Sequence, residues 1–172
     1  SGKNILIWSE QGIGDEIMFA NTLPDIVRDS AGIIIECNER LVPIFERSFE
    51  GVTAVARQEP PDDRIERANT DFQIPIGSIC KFYRKSAEEF PKDAGGYLKA
   101  DPELTATIKA RYDALGPGLK VGISWRSGNP IVGGERSIPL ELWDELLSLE
   151  GCHFINLQYG EVDEDITGVM AR

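Results

Sequence analysis

The stretch Trp8-Ser9-Glu10-Gln11-Gly12-Ile13-Gly14-Asp15-Glu16-Ile17 constrains this chain more than any other. In it a short apolar run ends, glycines at 12 and 14 follow, and helical spacing begins. Asn4 to Ser9 reads as a parallel strand buried on both faces, because such strands are near-continuous in apolar and β-branched residues. From Asp15 to about Ser30 the residues Ile17, Ala20, Leu23 and Val27 recur at helical spacing. Asp15 and Glu16 then suit the positive end of the helix dipole, and Pro24 should kink the helix. A strand feeding a helix through a glycine turn is the opening of an α/β fold, and open α/β sheets bind ligands at the carboxyl ends of their strands.

The same logic runs on along the chain. Gly32 to Cys37 predicts a second strand, with Asn38 as N-cap of a helix to Glu50, and Val52 to Ala56 and Asp71 to Pro75 predict two more strands. Gln58 to Thr70 reads as a loop with at most a helical turn. Ile76 to Lys99 reads as short turns, because Gly77, Pro91, Gly95 and Gly96 interrupt any longer period. Asp101-Pro102-Glu103 is a helix start, and the helix should run to Leu115, where Gly116 stops it. Gly116-Pro117-Gly118 marks the expected boundary between a first domain, 1–116, and a second, 117–172.

In the second part a strand over 120–125, a loop to Ser137, a helix over about 139–149 and a strand over 153–158 predict another βαβ unit. Leu140, Trp143 and Leu147 share one face of its helix, which assigns Trp143 to packing. The segment after Tyr159 is acidic and shows no further pattern.

Charge and cysteine content narrow the function. With 29 acidic against 18 basic residues the formal net charge is -11, which repels nucleic acid and anionic membranes. Cys37, Cys80 and Cys152 form no Cys-x-x-Cys pair, which argues against a disulfide framework or a zinc site and for the cytoplasm. No apolar run approaches the roughly 20 residues of a membrane span. The single histidine, His153, has no carboxylate near it in sequence and is assigned a structural role.

Two clusters carry candidate chemistry. Glu10, Asp15 and Glu16 at the first turn would repel a pyrophosphate, so a hydroxyl-binding or base role suits Asp15, with Gln11, Gly12 and Gly14 beside the ligand. A helix cap is the competing assignment for Asp15. A dinucleotide site competes too: Gly12-x-Gly14-x-x-Ile17 has two of the three fingerprint glycines, and Glu36 stands where a ribose-binding acid is expected. The second cluster is Arg126 to Ser137. With Lys120, Arg126 and Arg136 against Glu135 it is net positive, and Ser137 as helix N-cap would add backbone N–H groups for a phosphate.

The run from Glu10 to Ala20, with Leu23-Pro24 after it, resembles the glycosyltransferase-like domain that follows tetratricopeptide repeats in many bacterial proteins. That domain is similar to the heptosyltransferases. Val121 to Trp125, Gly128-Asn129-Pro130, Arg136 to Leu140 and Phe154 to Gln158 extend the likeness.

The resemblance implies a GT-B architecture of two Rossmann-like lobes around a cleft, the acceptor on the first and a nucleotide-sugar donor on the second. That chemistry requires no metal and no cofactor. Asp15 would be the base toward the acceptor hydroxyl. Arg126, Asn129, Arg136 and Ser137 would serve the donor, Arg136 standing where the family typically carries Lys. Little of a second lobe follows Gln158, so the expectation is a fragment of a longer transferase; a non-catalytic interaction module derived from such a lobe is the alternative.

Overall fold

A computed structural model describes residues 2–92, 95–128, 131 and 133–171. They divide into two compact units, Ser1–Leu104 and Thr105–Arg172. The chain is α/β in both units.

In the first unit β1 (Asn4–Trp8) is followed by α1 (Ile13–Ala20) and α2 (Leu23–Asp29), then β2 (Gly32–Cys37), α3 (Val42–Ser48), β3 (Val52–Ala56), α4 (Asp63–Arg67), β4 (Phe72–Pro75) and α5 (Cys80–Tyr83). The expected strands are present to within a residue or two. The four strands form one parallel sheet in the order β3-β2-β1-β4. The chain thus winds outward from β1 to β3 and returns to add β4 on the other side of β1. The carboxyl ends of β1 and β4 therefore flank the point where winding reverses, the place where open α/β sheets hold ligands.

Alternation along the strands assigns one sheet face to the core. Ile7, Ile33, Ile35, Cys37, Val52 and Ala54 are buried on it, under Ala20, Leu23, Ile26, Leu41, Phe45 and Phe49. Phe45 is wholly buried and meets Phe49 edge-on at 5.8 Å between ring centroids. Burying a ring of this size contributes about 1.5–3 kcal/mol.

The helix expected over 15–30 is two helices. A continuous one would have no N–H at Pro24 for the Ala20 carbonyl and would press the pyrrolidine ring onto it. The chain instead breaks at Asn21-Thr22 and places Pro24 in the first turn of α2, where no N–H is needed. Thr22 Oγ1 donates to the Phe19 carbonyl at 2.7 Å in the break.

After α5 the chain reaches α6 (Pro102–Asp113), whose start is capped as expected: Asp101 accepts from Leu104 N–H at 2.9 Å.

The second unit holds β5 (Leu119–Ile123) and β6 (Cys152–Asn156), paired in parallel from Leu119 opposite Cys152 to Ile123 opposite Asn156. Between them the expected single helix is a 3-10 turn, Leu140–Trp143, running into α7 (Asp144–Leu147). Its stripe is as read: Leu140 is buried, and Trp143 and Leu147 are half-buried. The acidic end of the chain is not patternless, because Asp163–Met170 form a helix, α8. Three acids in its first turn, Asp163, Glu164 and Asp165, suit the helix dipole, and Val162, Ile166 and Met170 recur at four-residue spacing.

Candidate functional site

In the first unit the candidate site is built on the exit from β1. Ser9 is buried, and both its N–H and its hydroxyl donate to the Glu36 carbonyl, at 3.2 and 3.1 Å. Arg57, just past β3, donates to the Ser9 carbonyl at 2.8 Å. The turn thus leaves the sheet from a fixed point.

Gly12, extended at φ -79° and ψ 167°, is the N-cap of α1, and its carbonyl accepts from the N–H groups of Asp15 and Glu16. The helix therefore starts two residues before the expected Asp15, and Gly14 lies inside its first turn. Asp15 is the third residue of the helix and does not cap it. No side chain does. The Asp15 carboxylate is half-buried, Oδ2 standing 3.7 Å from where a Cβ on Gly12 would lie, and it has no hydrogen bond among the described residues. Gln11, Gly12 and Gly14 are exposed beside it. Glu10 reaches toward the exit from β4, with Oε1 3.2 Å from the Cβ position of Gly77. Glu10 and the first turn of α1 thus line the β1–β4 reversal point.

Glu16 lies in the first turn of α1, where the helix dipole suits it, and its side chain turns into the core. It is 1% exposed, and Oε2 accepts from Asn38 N–H at 2.8 Å. Oε1 is buried with no partner among the described residues. The bond ties the first turn of α1 to the end of β2. One signal pointed there: Glu16 is four residues before Ala20 and shares its helical face. Burial, joined by the charges of Glu16, Glu36 and Glu46 against that of Arg57, pushes the neighbouring Cys37 thiol up to about 12. Cys37 is thus inert as a nucleophile.

The second unit positions the basic loop differently from expectation. Ser137 does not cap a helix; its hydroxyl accepts from Ser127 N–H at 3.0 Å and donates to the Gly133 carbonyl at 2.5 Å, closing the loop on itself. The element that follows is capped at Pro139, with no side-chain hydrogen bond. Lys120 does not join the loop, because its ammonium donates to the carbonyls of Gly116 and Gly118 at the other end of β5. Arg136 is exposed in a 3-10 turn. Arg126 lies 3.5 Å from Asp165 of α8, whose carboxylate also accepts from Trp125 Nε1 at 3.0 Å. Asn129 lies outside the described residues. His153 Nε2 lies 2.8 Å from the Pro117 carbonyl, the structural contact expected of it.

Gln158 was not singled out from sequence. It is 8% exposed, and its Oε1 accepts from Ser124 Oγ, Trp125 N–H and Arg126 N–H at 2.9, 3.0 and 2.9 Å. Nothing local marks it, because the loop it gathers is more than thirty positions away along the chain.

Fold and turn together define an α/β protein whose first unit carries an open carboxylate at the reversal point of a parallel sheet. No family model matches the chain, and no solved structure matches it. Protein FlbA of Caulobacter vibrioides is 39% identical over 180 residues, which take in 96% of this chain. The chain spans 30% of that protein's length. Among the described residues no helix is long and apolar enough to cross a membrane, and no group of three or more potential ligand side chains could hold a metal ion.

Proposed function

We propose that this chain is part of a GT-B glycosyltransferase, its first unit binding a hydroxyl acceptor and its second the phosphates of a nucleotide-sugar donor. The observation that carries the reading is the Asp15 carboxylate: it stands at the β1–β4 reversal point, and no described residue engages it. A carboxylate so placed accepts the acceptor's proton as its oxygen attacks the anomeric carbon. The donor's diphosphate leaves as that carbon–oxygen bond breaks, and Arg126 and Arg136 supply charge for it. Repeats of the tetratricopeptide type before this segment belong to the same proposal.

The dinucleotide alternative is the poorer fit. A dinucleotide's pyrophosphate would lie on the first turn of α1, where the Asp15 carboxylate repels it.

The test is transfer from nucleotide sugars by the full-length protein that contains this chain. Asp15→Asn should lower turnover by about 10²–10⁴-fold, the usual contribution of a general base, with donor affinity unchanged. Unchanged turnover removes Asp15 from the chemistry. A full-length protein that binds no nucleotide sugar favours the interaction-module reading. That reading draws on the apolar side chains that the second unit exposes, Leu119, Leu142, Leu157 and Met170 among them.

A further inference from the structure

The loop leaving β5 presents three donors to one point: the hydroxyl of Ser124 and the successive backbone N–H groups of Trp125 and Arg126, all within 3.0 Å of Gln158 Oε1. A carboxamide oxygen has two lone pairs, one fewer than the donors converging on it. An anionic oxygen accepts three such bonds readily, and bonds to it are roughly twice as strong. Successive N–H groups aimed at one point make an anion-binding concavity. The Arg126 guanidinium, 39% exposed on the side chain, adds a cation at its rim, partly offset by Asp165 at 3.5 Å.

We propose that Ser124–Arg126 is an oxyanion cradle for a phosphate-type anion, and that Gln158 is its built-in occupant, the carboxamide oxygen standing where an anionic oxygen binds once the side chain swings out. Gln158 is easily released on its other side, since among the described residues its amide nitrogen holds only the Tyr159 carbonyl, at 3.2 Å. An anion then gains the cradle only by displacing Gln158. The device rests on the donor-binding reading of the second unit for its use and not for its test.

The test is titration of the chain with inorganic pyrophosphate, followed by the backbone amide resonances of Trp125 and Arg126. In Gln158→Ala the cradle is vacated, so pyrophosphate should bind at least tenfold more tightly than to the unaltered chain and move both amides downfield. Absence of binding by Gln158→Ala, or binding that leaves those two amides in place, overturns the proposal. Should Gln158→Ala fail to fold, Gln158→Glu decides: three donors on the introduced carboxylate must hold its titration below the ordinary carboxylate range, in spite of burial. Titration at or above that range overturns the cradle. A protein that binds pyrophosphate here and transfers no sugar loses the transferase reading alone, and one that transfers sugar without these amide shifts loses the cradle alone.

Discussion

Truncating Glu16 should loosen the first unit in a way that separates its hydrogen bond from its charge. Glu16→Gln and Glu16→Ala both remove the buried carboxylate, so whatever that charge costs the fold drops out of the difference between them. What remains is the acceptor for Asn38 N–H, now 2.8 Å from Oε2, and one buried methylene group, since alanine keeps Cβ. A donor left without its partner costs about 1–3 kcal/mol, the lower end applying here because the bond is only part-buried. That methylene adds about 0.8 kcal/mol. Glu16→Ala should therefore be about 2 kcal/mol less stable than Glu16→Gln, roughly thirtyfold in the opening equilibrium. Hydrogen exchange at the amides of Ile7 and Ile35 reads this directly, because both lie in the central paired strands and exchange through the largest opening of the unit. A gap under about 1 kcal/mol would refute the claim that the bond from α1 to the end of β2 holds the turn.

The glycine at 14 offers a cleaner probe of ligand approach than any charged residue. A Cβ there meets nothing within 4 Å, so Gly14→Ala should leave thermal unfolding unchanged or raise it, by up to about 1 kcal/mol of helix propensity. Loss of transfer in that variant would report a ligand lying against the turn, and loss of folding would contradict the packing described. Cys37 should resist iodoacetamide in the folded chain at pH 8 while the half-buried Cys80 and Cys152 react; alkylation of all three at similar rates would contradict its burial. Because the folded thiol is raised to about 12, the fold keeps its proton. The corresponding stability is whole below the ordinary thiol value near 8.5 and drains as pH climbs toward 12, which alkaline unfolding of Cys37→Ala against the unaltered chain would register.

The elements were legible in the residues because strands and helices obey local rules. The apolar run at Ile5-Leu6-Ile7, the glycines at 12 and 14, and the Asp101-Pro102 start each act within a turn or a few residues of themselves, and each is where it was read. Pro24 was read correctly as a disturbance and wrongly as a kink. Whether a chain bends or restarts at a proline depends on what the neighbouring turn packs against, here the core beneath Ala20 and Leu23.

Candidate chemistry was legible as composition at two places, an acidic turn and a basic loop, but not as wiring. Ser137 was expected to cap a helix, and its hydroxyl instead joins two strands of loop. Glu16 is in the first turn of its helix, as expected, but its carboxylate is buried. Gln158 and Asp165, which shape the surroundings of Arg126, carried no signal. Their partners lie 32 and 39 positions away along the chain, and no periodic pattern reports a contact across that distance. Residue order by itself determined the α/β class, the glycine turn and the excess of negative charge, because propensity and period operate between near neighbours. Which carboxylate stays open, which is buried, and which oxygen fills the loop after β5 was decided only when the sheet brought strand ends together, because burial and hydrogen-bond partnership belong to distances in space.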